Sequence, residues 1–280
     1  MAKNWRQLMR HPAAGDHLVQ LYQDDAFLAE AVCSYVLEGL RADDCIVLVA
    51  TPAHRDLFLR GLRMAGVDVV SALVQRRLEI LGAAETLAAF MQDGMPDADA
   101  FRRTVGGVIE SATRRRGGVR AFGEMVDLLW RGGQREAAVR LEELWNDLAA
   151  EHDFSLLCAY HLDNLDREAY GGALQCICRV HSHLIPARDY EGFENAVTRA
   201  STDVLGQPLA DVLRSVAGRA RPLTDMPAAQ ATLLWLKENM PATCDRVLGR
   251  LRDAARAADA GGAAFRAVPG PAARTAAPPR

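Results

Sequence analysis

Glu124 and Arg120 have the clearest chemical reach of any residues in this chain. They flank the end of an apolar run, residues 119–122, that predicts a strand, and Gly123 separates this run from an apolar segment at 125–130 that predicts a helix. A carboxylate at such a corner can act as a general base or orient a ligand, and an Arg can steer it or bind an anion. The same two residues can equally form an internal ion pair that fixes the corner, and the sequence leaves both readings open. Thr51 and His54 follow a second apolar run, where the exposed amides of a helix start attract anions. The plain alternative is that Thr51 and Pro52 only cap a helix. His17 and Tyr22 bound the first predicted strand, Asp24 lies in the turn after it, and Tyr160 and His161 end another. His17, Tyr22, Asp24, Thr51, His54, Arg120, Glu124 and Tyr160 are therefore the candidate ligand-binding residues.

Other chemistries find less support. Cys176, Cys178, His181 and His183 invite a zinc reading, but side chains two apart on a helix point to different sides. Cys178 and His181 can share a face, yet two ligands do not close a tetrahedral site, so no metal is expected. Ser155 sits in an apolar run without the Gly-x-Ser-x-Gly elbow of a nucleophile, and no catalytic residue or cofactor is expected. Trp130 and Trp145 can line an apolar pocket or serve as plain core.

The elements that must position these residues alternate. Residues 17–22 read as a strand, followed by a helix from Asp25 to about Leu40. Residues 45–50 form a continuous apolar run, the mark of a strand buried on both faces. A helix from Pro52 ends near Gly66, and residues 67–69 lead to a strand-like region at 78–81. Helices at 84–92 and 98–115 flank a turn at 93–97. A further buried strand is predicted at 154–160, then a helix over 163–180 interrupted at Gly171 and Gly172. This alternation predicts an α/β domain with a mostly parallel sheet and helices on both faces, over residues 15–187. Residues 1–14 read as a flexible leader, 190–256 as an all-α appendage, and 257–280, rich in Ala, Pro and Gly, as a disordered tail.

Such a layout raises the question of a phosphate loop, which needs glycines, a Lys and a Ser or Thr. The first turn runs Gln23, Asp24, Asp25, Ala26, Phe27, and it has none of these before Glu30. Its carboxylates would compete with a phosphate, which argues against ordinary ATP hydrolysis.

Composition sets the outer limits. Half of the 280 residues are hydrophobic and the net charge is −3. That excludes a global basic field for nucleic acid. The arginines of the C-terminal helices, from Arg214 to Arg256, lie among acidic residues, and the basic triplet at 114–116 reads as a solvated helix end. No apolar run is long enough to span a membrane, and the N-terminus has no signal-peptide core. The six cysteines lie mostly among apolar neighbours, as free thiols of a cytoplasmic protein would.

Taken together, several segments resemble a known family. They are residues 17–22 (HLVQLY) with Asp24 and Asp25, 47–54 (VLVATPAH), and 119–126 (VRAFGEMV) with Leu129 and Trp130. Leu141, Glu142, Leu144, Trp145 and Asn146 follow, then 154–160 (FSLLCAY), His181 and Ser182. In this order, over about residues 15–187, the chain is similar to a MEDS domain, the methanogen/methylotroph, DcmR sensory domain. The resemblance implies a layout like that of RecA/KaiC-type ATPases without the phosphate loop, a role in signal sensing, and hydrocarbon derivatives as a ligand class. It also implies work beside histidine kinases or DNA-binding modules, neither of which is evident in this sequence.

The expectation is thus a non-enzymatic sensory protein that binds a small, in one reading apolar, effector or a signalling partner at the strand C-terminal ends. Residues 190–256 would serve for output or as a homodimer surface. The alternatives are a degenerate RecA/KaiC-like nucleotide-binding protein with Glu124 as base, and a pure interaction module of a histidine kinase or anti-sigma pathway.

Overall fold

A computed structural model of the chain describes residues 5–265 apart from 116, 164, 166–168, 186–189 and 220–224. The strands in chain order are β1 (His17–Tyr22), β2 (Cys45–Ala50), β3 (Leu78–Gly82), β4 (Met91–Gln92), β5 (Met95–Pro96), β6 (Val119–Gly123), β7 (Ser155–His161) and β8 (His183–Ile185). Six of them form one sheet in the order β3-β2-β6-β7-β1-β8, and β4 and β5 pair separately. Every pairing within the large sheet is parallel. Its central strands are apolar on both faces because both faces are covered, which is why they read as unbroken apolar runs.

Helices α1 (Trp5–Arg10), α2 (Asp25–Arg41), α3 (Pro52–Met64) and α4 (Val69–Val74) cover one face. They enclose Leu18, Tyr22, Ile46, Leu48, Phe122 and Leu157. The other face carries α5 (Ala83–Ala88), α6 (Ala98–Phe101), α7 (Gly107–Thr113), α8 (Met125–Arg131), α9 (Arg135–Glu151) and α10 (Leu174–Val180). That side buries Val19, Val47, Val49, Ala121, Leu156, Cys158 and Tyr160, the residues that alternate with the first set along each strand.

Helices α11 (Tyr190–Leu205), α12 (Gln207–Arg219), α13 (Ala228–Asn239) and α14 (Pro241–Phe265) complete the chain. Their buried residues, among them Val197, Leu233, Leu236 and Val247, join the same core cluster as Leu174 and Ile177. Asp225 ties this region to the sheet: its backbone amide donates to Ser182 O and its carbonyl accepts from the Leu184 amide, both at 2.9 Å. The sequence boundary near 187 is therefore not a boundary in packing.

Several local expectations are revised. The leader is held over α1, where Leu8 and Met9 are buried against α2. Residues 69–74 are helical because the Asp68 carboxylate accepts the Ser71 amide at 2.9 Å and caps a turn there. The helix expected over 84–92 stops at Ala88, and farther on Asp93 and Gly94 both take positive φ (50° and 81°). That geometry makes the tight turn of a hairpin between β4 and β5. The helix expected over 98–115 contains a π-helical stretch, Arg102–Gly106. Helix α14 runs to Phe265, beyond the boundary expected at 256. The remainder of the expected tail, and residues 1–4 of the leader, lie outside the described residues.

Candidate functional site

The C-terminal edge of the sheet gathers side chains from four strand ends. Thr51 follows β2 and caps α3, its hydroxyl accepting the His54 amide at 3.5 Å. Glu124 follows β6, and its carboxylate accepts from the Thr51 backbone amide and from Nδ1 of His54. His54 Nε2 lies 3.4 Å from Asp25 at the start of α2, and its ring stacks on Phe58 with centroids 5.7 Å apart. Beside this group, the Tyr22 hydroxyl at the end of β1 donates to Asp127 at 3.0 Å. The other Asp127 oxygen accepts the His161 amide at 2.8 Å. Tyr22, Glu124 and Asp127 are all buried, whereas Asp24 and Asp25 are exposed.

Two clusters of charge result, and their proton affinities follow from their neighbours. The bond to Glu124 raises the pKa of His54 against the opposing effect of burial, and Asp25 adds to the rise. Burial, opposed by the His161 amide and the Tyr22 hydroxyl, lifts the Asp127 carboxyl above its ordinary value. The Tyr22 phenol is raised by burial first and by Asp127 next, so it remains a donor.

Arg120 belongs elsewhere, and the idea that it orients Glu124 is not what the structure displays. It sits near the start of β6, and four residues of strand, roughly 13 Å, separate it from Glu124. Its guanidinium donates to Asp44 at 2.7 Å and to the carbonyls of Met9, Arg10 and Tyr35 at 3.0, 2.8 and 3.3 Å. It lies over the Tyr35 ring at 5.3 Å. These partners make it a clamp between α1, α2 and β6. An open cleft of about 460 Å³ adjoins it at this opposite edge, lined also by Pro12, Asp44, His152 and Ser155.

His17 and Tyr160 point to the α9 face of the sheet and so away from the Glu124 group. His17 Nδ1 is 2.8 Å from Asn146 Oδ1, and its Nε2 is 3.2 Å from Glu142 and 3.4 Å from Cys158 Sγ. The Tyr160 hydroxyl donates to Glu142 at 2.7 Å, and His181 Nε2 lies 3.2 Å from the same carboxylate. Burial alone would raise the Glu142 carboxyl, but His181 and His17 outweigh it and hold it low. Burial, then His181, lowers the pKa of His17. Among the described residues, His17, Glu142, Cys158 and His181 are the one group spaced as metal ligands. The Cys176–His183 segment does not converge: Cys176 is exposed, and His183 turns to Asp16 at 3.4 Å.

The tryptophans are core. Trp145 packs against Phe101 at 5.3 Å and Phe154 at 6.1 Å. Trp130 meets the Tyr160 ring at 5.5 Å under the Arg135 guanidinium.

The family model for MEDS, the methanogen/methylotroph, DcmR sensory domain, matches residues 16–182. The chain belongs to this family. No curated protein matches it. The MEDS match opens beside His17 and closes just past His181, so it takes in both polar clusters and leaves α11–α14 outside. A sensory or signalling role follows at that coarse level.

Sequence reasoning named His17, Tyr22, Thr51, His54, Glu124 and Tyr160 but missed their partners Asp127 and Glu142 as site residues. They lie on the buried sides of α8 and α9, at 3% and 0% exposure. The available signal was a carboxylate in register with the apolar stripe, Asp127 beside Val126 and Leu128, and Glu142 beside Leu141 and Trp145.

Proposed function

We propose that the chain is a non-enzymatic sensory protein that binds a small effector at the C-terminal edge of its sheet. The change would pass through α11–α14 to a signalling partner of the histidine kinase or regulator type, in the cytoplasm. One observation carries this reading: the protein's own carboxylates occupy the helix starts at that edge. Glu124 takes the Thr51 amide where α3 begins, and Asp24 takes the Ala26 amide, at 2.7 Å, where α2 begins. A nucleotide-hydrolysing protein offers such amides to phosphate. Here a phosphate would have to displace a buried carboxylate and sit among Asp24, Asp25 and Asp127. An uncharged or cationic organic molecule with one or two hydrogen-bonding groups suits this surface better.

Calorimetry on the full chain tests it. Mg-ATP should give no binding heat and no turnover; hydrolysis that disappears in Glu124→Gln would establish the nucleotide-binding alternative instead. Small neutral and cationic organic compounds, screened by thermal shift, should yield ligands whose effect is lost in His54→Ala.

A second reading, a protein-interaction module, draws on α12. Leu209, Val212 and Val216 are exposed there at a spacing that puts them on one face. Such a stripe suits a partner helix or a homodimer through residues 190–256. Light scattering on the wild type and on a Leu209→Glu, Val212→Glu variant reads this directly. A wild-type monomer that the variant leaves unchanged counts against the homodimer.

A further inference from the structure

We propose that His17, Glu142, Cys158 and His181 form a buried tetrahedral site for a divalent metal ion of the zinc type. The site is separate from the effector surface, and it stands or falls independently of the reading above.

The four donors come from distant parts of the chain. His17 opens β1, Cys158 lies in the middle of β7, Glu142 is on α9, and His181 follows α10. All four residues are buried, and their ligand atoms lie within 4.8 Å of one another. Zinc bond lengths to nitrogen, oxygen and sulfur place tetrahedral donors about 3.3–3.6 Å apart. The observed edges are 3.2 Å from His17 Nε2 to Glu142 Oε2, 3.4 Å from His17 Nε2 to Cys158 Sγ, and 3.4 Å from Cys158 Sγ to Glu142 Oε2. His181 Nε2 stands 3.2 Å from the other Glu142 oxygen. Three of the donors are thus spaced close to what the ion requires, and His181 completes the set within 4.8 Å.

The surrounding groups orient the donors as metal sites do. Asn146 Nδ2 is committed to Val180 O at 2.8 Å, which turns its oxygen toward His17 Nδ1. With an ion bound, His17 would carry its ring proton on Nδ1, toward this oxygen, and turn its Nε2 lone pair to the ion. His181 Nδ1 faces the Ile177 carbonyl at 2.7 Å, which selects the same tautomer. The Tyr160 hydroxyl holds Glu142 Oε1 at 2.7 Å and leaves Oε2 for the ion.

Charge argues the same way. A thiolate, a carboxylate and two neutral imidazoles around a dication sum to zero, the least costly state for a buried polar group. On binding, the Cys158 S–H bond breaks, a Zn–S bond forms, and the proton leaves to solvent. Softness of the thiolate with two imidazoles favours zinc over magnesium or calcium. Four protein donors leave no open position, so the ion serves as a staple joining β1, β7, α9 and the end of α10.

The test uses the purified full chain, stripped of metal and reloaded. Zn2+ should bind at one ion per chain and raise the melting temperature. Co2+ in its place should show the ligand-field bands of a four-coordinate site and a thiolate charge-transfer band. The charge-transfer band should vanish in Cys158→Ser and persist in Cys176→Ser, which removes the exposed thiol. Failure of the folded wild type to bind Zn2+ at micromolar concentration, or a Co2+ spectrum without the thiolate band, would overturn the proposal without any variant having to fold. A thiolate band retained in Cys158→Ser, or lost in Cys176→Ser, would place the ion elsewhere and sink it equally.

Discussion

At the scale of single residues, Glu124 and His54 make the most exposed claim about pH. His54 holds its proton more tightly in the folded chain than its ordinary value of 6.5 would allow, chiefly because Glu124 accepts from it. A raised folded pKa contributes stability that is complete below the unfolded value and is lost as pH rises through the folded one. The melting temperature should therefore fall as pH is raised upward from 6.5, the ordinary value for His54. In Glu124→Gln, where the acceptor keeps its shape and loses its charge, that decline should flatten; a decline of unchanged steepness in the variant would assign it to another group. Glu124→Gln should also lower stability at pH 6 by on the order of 1–3 kcal/mol, measured by urea unfolding, because a buried charge-assisted bond is weakened.

Among elements, the link most open to test is Arg120, which joins α1 to β6. Arg120→Met removes the partner of Asp44 and frees three backbone carbonyls on α1 and α2. The cost should be about 3 kcal/mol. Hydrogen exchange should rise over residues 8–10 and 35–44, while effector binding at the far edge of the sheet stays intact; a selective loss of binding would return Arg120 to the site. How far the sequence revealed these elements depended on local chemistry. Residues 45–50 are legible because burial on both faces leaves no polar position, and Thr51 with Pro52 states where α3 begins. Residues 69–74 carried no assignment from the sequence, because the Asp68 cap that starts this short helix is a single side-chain contact. The positions of Glu124, His54 and Tyr22 could be read because each lies at or just past the end of a strand, and parallel strands end at a common edge. Arg120 misled because strand periodicity fixes a face and says nothing of which end a long side chain serves. His17 and Cys158, separated by 141 positions, meet only through strand order, which no local pattern encodes.

For the whole molecule, the decisive feature is a core that continues from the sheet into α11–α14. Tyr170, Leu174 and Ile177 share it with Leu233, Leu236 and Val247. The full chain should consequently unfold in one cooperative transition, and a chain ended after Ile185 should bind hydrophobic dyes and precipitate. A soluble, cooperatively folding truncation would overturn that expectation. No helix among the described residues is long and apolar enough to cross a membrane. The short β8 strand sharpens the point. It pairs with β1 on one side, and on the other its only backbone partner among the described residues is Asp225. Were the terminal helices to swing away during signalling, β8 would offer its amides and carbonyls to the next available strand, the usual start of aggregation. The Asp225 segment therefore shields a strand edge that would otherwise stand ready to pair with another chain.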